Sequence, residues 1–189
     1  MIETNLACIL SVIIIIVVFC LLFIVVIYNR FIQLNNNIKR AWSNIDVSLK
    51  QRHNELPNLI NTVKGYMTHE KTLLETITKA RSYLYKTEDL SKKAAASDII
   101  SESLKSLFAV VENYPDLKAV ENFSHLQKRI TALENEIADR REYYNECVTI
   151  YNIRIKSFPD LIIARMMKVK EKDLFKATEE DKSYVKVKF

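Results

Sequence analysis

LACILSVIIIIVVFCLLFIVVI, residues 6–27, decides the first question about this chain. The run carries no charge, no proline and no glycine. At about 1.5 Å per residue a helix over it is about 33 Å long, enough to cross a hydrocarbon core of about 30 Å. A cleavable signal peptide would need a basic leader and an apolar stretch of only about 7–15 residues. Met1–Asn5 instead offers Glu3 and no Lys or Arg, and no apolar region precedes Cys8 as a lipoprotein site would require. The expectation is an uncleaved, single-pass cell-membrane anchor: a short tail (1–5), a transmembrane helix (6–27), a helical bundle (28–158) and a C-terminal ancillary segment with a basic tail (159–189).

All 28 basic residues follow Ile27, and Arg30, Lys39 and Arg40 lie close behind the span. The positive-inside rule then places the polar part in the cytoplasm, with the extracytoplasmic side as the alternative. Cys147 is the lone cysteine after the span, so no disulfide forms within the polar part. A small core residue on a helix is the expected role for it.

With 1 Gly and 3 Pro, the chain lacks the turn residues a sheet protein needs. Apolar residues step by three and four instead. Phe31, Leu34, Ile38, Ala41, Ile45 and Leu49 form one stripe; Leu56, Leu59, Val63, Tyr66, Leu73, Ile77, Ala80 and Leu84 continue it; later stripes run from Ile100 to Val111 and from Phe123 to Phe158. Such spacing keeps one helix face toward a partner. The fold class expected is all-α, an N-terminal transmembrane helix followed by an up-and-down antiparallel four-helix bundle. Its helices are predicted at 28–53, 55–86, 98–113 and 117–157. Asn54 would cap the second, but the stripe keeps its phase through Pro57, so one continuous helix through that proline is the competing reading. Residues 87–97 read as an exposed connection, with Ser97 or Asp98 capping the third helix, and Tyr114-Pro115-Asp116 as a turn. Leu161–Val169 is too short and too charged to span. It reads as an ancillary helix or, more sharply, as a membrane-surface helix.

Catalytic chemistry is not visible. One glycine, Gly65, excludes phosphate-cradling loops and a nucleophile elbow, which need several. His53, His69 and His125 lack the spacing of a metal site, and the Glu-x-x-His pattern of a di-metal bundle is missing. No catalytic residue, metal or cofactor is therefore expected. Polar residues on or beside the stripes are the remaining candidates for structural or partner-contacting roles: Asn44, Asp46, Arg52, Pro57, Asn58, Glu70, Arg81, Tyr114, Pro115, Asp116, Tyr144 and Asn145. Glu70 falls on a core step and needs a partner, for which Arg140 or Arg141 is expected. Asn58 and Asn145 are expected as buried amides in the same network. Lys and Arg are interspersed with Asp and Glu, which argues for a solvated face and against nucleic acid. The lipid bilayer is the better partner for the basic excess, and no small-molecule substrate is indicated. The tail DKSYVKVKF (Asp181–Phe189) reads as a flexible end or a strand-like docking peptide.

Several of these stretches also resemble a known family in order: AWSNIDVSLKQRHNELPNLINTVKGYMTHE (Ala41–Glu70), Ala80-Arg81, ENYPDLKAVENFSHLQ (Glu112–Gln127), YYNECVTIYN (Tyr143–Asn152) and Phe158-Pro159. They are similar to the LemA family. The resemblance implies a membrane-attached antiparallel helical bundle of the bacterial envelope with no established biochemical activity, and it points to envelope protein partners, a membrane metallopeptidase among them. After Phe-Pro the family usually carries a Gly-containing stretch, whereas this chain reads ARMMKVKEKDLF (Ala164–Phe175). A non-enzymatic interaction or scaffold protein is the function expected. A transmembrane adaptor passing helix movement between membrane and bundle is the alternative.

Overall fold

The computed structural model describes residues 2–67 and 69–177. These form six helices and no strand: α1 (Ile2–Lys64), α2 (Lys71–Lys86), α3 (Leu90–Val111), α4 (Pro115–Lys118), α5 (Glu121–Lys156) and α6 (Asp160–Met166). The all-α class holds; α6 falls where an ancillary helix is expected, and α4 is a short helix beyond the expected set. The basic tail 181–189 lies outside the described residues.

Two units divide the chain, one comprising Met1–Arg40 with Cys147–Lys172 and the other Ala41–Glu146 with Asp173–Phe189. In the first, the residues from Ile9 onward form one helix long and apolar enough to cross a membrane, and its apolar stretch is not buried in protein. Ile27, at the end of that stretch, is buried, as are Phe31, Ile38, Val148, Tyr151 and Ile155. Phe31 and Tyr151 meet edge to face at 6.2 Å. Cys147 is buried, consistent with a packing role. Asn152 grips Lys172 at both backbone groups, its Nδ2 donating to the carbonyl at 2.8 Å and its Oδ1 accepting the amide at 2.9 Å. Lys168, at φ 52°, closes α6 in the left-handed region. Val169 N–H reaches Ala164 O and Lys168 N–H reaches Arg165 O, the 6→1 and 5→2 pair of a Schellman cap. A lysine here makes the turn that glycine usually makes.

The second unit has one core. Ile45, Leu56 and Leu59 from α1, Leu74 and Ile77 from α2, Ile100, Leu104 and Leu107 from α3, and Phe123, Ile130 and Leu133 from α5 are all buried. Each such side chain contributes roughly 1.5–3 kcal/mol relative to exposure.

Two expected boundaries are corrected. Asn54 caps nothing: α1 runs unbroken to Lys64, with Pro57 inside it. Proline at 57 has no N–H for the His53 carbonyl four residues back. Arg81 supplies the missing donor, its Nε bonding His53 O at 2.9 Å. The helix continues because a side chain from α2 replaces the lost backbone bond. The break falls instead after Lys64, which leaves Tyr66 exposed rather than on the core stripe. Likewise most of 87–97 is helix. Asp89 caps α3 by accepting Lys92 N–H at 2.9 Å, and Ala94, Ala95 and Ala96 are fully buried. Alanine is the strongest helix former, and three in a row outweigh the Ser and Lys around them.

Candidate functional site

The second unit holds a non-helical segment against its helices, turned at Phe175 where Lys176 N–H bonds Leu174 O at 2.9 Å. Residues 173–177, outside any helix, carry Phe175, which is 1% exposed. Its ring lies 5.7 Å from Trp42 of α1 and 4.9 Å below the Arg141 guanidinium of α5. Trp42 also packs against Tyr144 at 6.0 Å and carries Lys93 Nζ 5.5 Å from its centroid. Cations over aromatic faces are electrostatically favourable, roughly 0.5–2 kcal/mol each. Main-chain groups of the segment are held as well. Tyr144 OH donates to Asp173 O at 3.1 Å, Phe175 N–H donates to Asn145 Oδ1 at 2.8 Å, and Ser91 Oγ donates to Lys176 O at 3.1 Å. Burial, reinforced by the negative charge of Asp173, raises the pKa of Tyr144, so its hydroxyl stays protonated and donates. The segment is thus held both through its backbone and by one buried aromatic ring.

A buried polar cluster lies in the same unit. Arg52, 1% exposed, donates to Ser97 Oγ at 2.8 Å, Ser101 Oγ at 3.2 Å and Glu134 Oε1 at 2.8 Å. Ser101 closes the loop by donating to Glu134 Oε2 at 2.5 Å. One cation thereby joins α1, α3 and α5 with both carboxylate oxygens satisfied. Arg141 pairs with Asp98 at 2.5 Å, which fixes the guanidinium that covers Phe175.

Residues 41–189 match the LemA family model. The chain belongs to the LemA family. It is 28% identical over 152 residues to "Protein LemA" of Metamycoplasma hominis, covering 80% of this chain and 69% of that protein. Over 158 residues it is 24% identical to "Magnetosome protein MamQ 2" of Paramagnetospirillum magneticum and 21% identical to "Magnetosome protein MamQ" of Magnetospirillum gryphiswaldense. Each match covers 70% of this chain and 58% of the relative, so the chain spans little more than half the length of these MamQ proteins.

In this LemA-family chain the polar residues singled out from sequence separate into distinct places. Tyr144 and Asn145 share the peptide-holding groove. Arg52 centres the buried cluster. Pro57 and Arg81 meet at His53, whose Nε2 also lies 2.9 Å from an Arg81 terminal nitrogen. Glu70 does not pair with Arg140 or Arg141. Its Oε1 accepts from Tyr114 OH at 2.8 Å, and this hydrogen bond is the main cause of the raised Tyr114 pKa. Arg140 instead pairs with Glu136 in its own helix and donates to Asn44 O at 2.5 Å. The Glu70 expectation failed because helical phase does not extend across the break between α1 and α2. Asn58 is exposed, its carbonyl accepting from Thr62, and so is not a buried amide. Asn44, Pro115 and Asp116 are also exposed, and Asp46 pairs with Lys50 at 2.8 Å.

Sequence reading missed Trp42, Phe175, Ser97, Ser101, Glu134 and His53 as site residues. Ser97 and Ser101 were findable: they stand four apart on α3, in phase with the buried Leu104. Phe175 had no such signal, because it sits in a segment without periodicity.

Proposed function

We propose that this chain is a membrane-anchored, non-enzymatic scaffold of the bacterial envelope that docks partner proteins by a peptide segment with an aromatic anchor. The observation that carries the reading is the groove of Trp42, Tyr144, Asn145 and Arg141, in which the chain's own Phe175 segment is already held through its backbone. The family resemblance points to envelope proteins, a membrane metallopeptidase among them, as the partner class. The charge behind the span favours a cytoplasmic location for the second unit.

A photo-reactive amino acid at position 93, beside Trp42, tests the scaffold reading in cells, with and without Phe175→Ala. Removing the anchor frees the pocket, so cross-links to a second protein should increase, and the linked peptide should carry an aromatic residue. Cross-links confined to the chain's own residues in both backgrounds would overturn the reading. Topology is tested separately at exposed Ser82, made Cys in a chain with Cys8, Cys20 and Cys147 replaced. Protection from an impermeant maleimide until lysis is expected; labelling of intact cells would reverse the orientation.

A further inference from the structure

Two cavities in the first unit share Phe23, Ile27 and Pro159 in their walls and so adjoin as the two arms of one groove. Its apolar arm, 340 Å³, runs along the span from Phe19 and is closed on the other side by Ile162, Ile163 and Met166 of α6. The other arm, 530 Å³, ends in Arg30 and Arg154, with Asp160 and Ser157 beside them. Arg154 is held by Asp160 at 2.9 Å, whereas Arg30 makes no ion pair among the described residues. Positive charge at the head therefore exceeds negative by one.

From Phe19 to Arg30 a helix rises about 16 Å, the depth of one bilayer leaflet. Water is not the solvent along Phe19–Ile27 when the span lies in a membrane, and the acyl chains that surround the span there match an apolar groove. Around the groove, Phe158 is 82% exposed, Met166 71% and Ile162 52%. Three large apolar side chains facing outward beside a membrane span belong in the bilayer interface.

We propose that this groove binds one anionic phospholipid, its phosphate between Arg30 and Arg154 and an acyl chain between Phe19–Ile27 and α6. The proposal rests on the membrane-anchor part of the function above and is independent of the peptide groove. The site would make the chain select a lipid environment as well as span it.

The test uses the full chain, reconstituted in vesicles, extracted in mild detergent with equimolar phosphatidylglycerol and phosphatidylcholine, and weighed by native mass spectrometry. An arginine near an anionic headgroup contributes roughly fivefold. One retained phosphatidylglycerol is expected, preferred about fivefold over phosphatidylcholine for the one net positive charge at the head. Arg30→Gln, which breaks no ion pair, removes that net charge and should abolish the preference. Equal retention of both lipids, or an unchanged preference in Arg30→Gln, overturns the site. Displacement of the lipid by inorganic phosphate would assign the arginines to a free anion and overturn it too. Carbonate extraction of the same vesicles separates the two readings: loss of the chain from the membrane would defeat the anchor itself, whereas retention without lipid preference would defeat only the site.

Discussion

Arg81 holds α1 together at Pro57, and a double-mutant cycle measures that directly. Proline leaves the His53 carbonyl without its helical donor, and Arg81 Nε fills the gap at 2.9 Å. Arg81→Ala strands a half-buried acceptor that had a charged donor, at a cost of about 1.5–3 kcal/mol. In a Pro57→Ala background the backbone N–H gained at that position can take the His53 carbonyl, so Arg81→Ala should lose only its packing and its contact with His53 Nε2. The coupling between the sites is therefore expected at about 1–2 kcal/mol, against about 0.5 kcal/mol or less for independent sites. Pro57→Ala alone should stabilise by less than the roughly 3 kcal/mol of an interior proline, because the carbonyl is already satisfied. Urea unfolding of the full chain in detergent micelles, followed by far-ultraviolet circular dichroism, gives all four free energies. Additive losses would refute the claim that Arg81 substitutes for the missing backbone donor.

Other residues make equally specific tests. Phe175→Ala should cost about 3 kcal/mol and release residues 173–177, read as faster amide exchange at position 175 and a changed emission from Trp42, the only tryptophan. Lys168→Gly should relieve a left-handed residue and raise stability by about 1 kcal/mol, a melting shift of about 2–4 °C by calorimetry. Glu134→Gln should cost about 3 kcal/mol by leaving Arg52 charged, buried and unpaired, and Arg52→Met/Glu134→Leu should recover most of that loss. Burial first, then the Arg81 charge, lowers the His53 pKa below its ordinary 6.5. The folded state then binds fewer protons than the unfolded just below pH 6.5, so stability is full above 6.5 and falls as pH drops toward the folded pKa. A pH series of melting temperatures should show that slope, and His53→Asn should flatten it.

Single-sequence periodicity was enough for the all-α class and for most of the core, because burial on one helix face imposes a three-and-four spacing that can be read without coordinates. The anchor was legible for the same kind of reason, since crossing a bilayer demands a run of apolar residues of fixed length. Tyr144 and Asn145 stand out from sequence as structural or partner-contacting candidates, and both hold the chain's own residues 173 and 175. Helix ends were less legible. Pro57 and the Ser-Lys-Ala stretch before Ser97 each carried a local break signal, and a contact or a propensity from elsewhere outweighed it.

What the sequence determined alone is whatever depends on neighbours along the chain: the span, the helical class, the apolar stripes and the motifs of the family. What only the tertiary structure decided is which polar groups meet. Arg52 with Glu134, Arg81 with His53, Glu70 with Tyr114 and Phe175 with Trp42 are joined across 82, 28, 44 and 133 positions. No local pattern encodes such pairs, because a buried charge or a freed carbonyl takes whichever partner the packed helices bring within hydrogen-bonding distance.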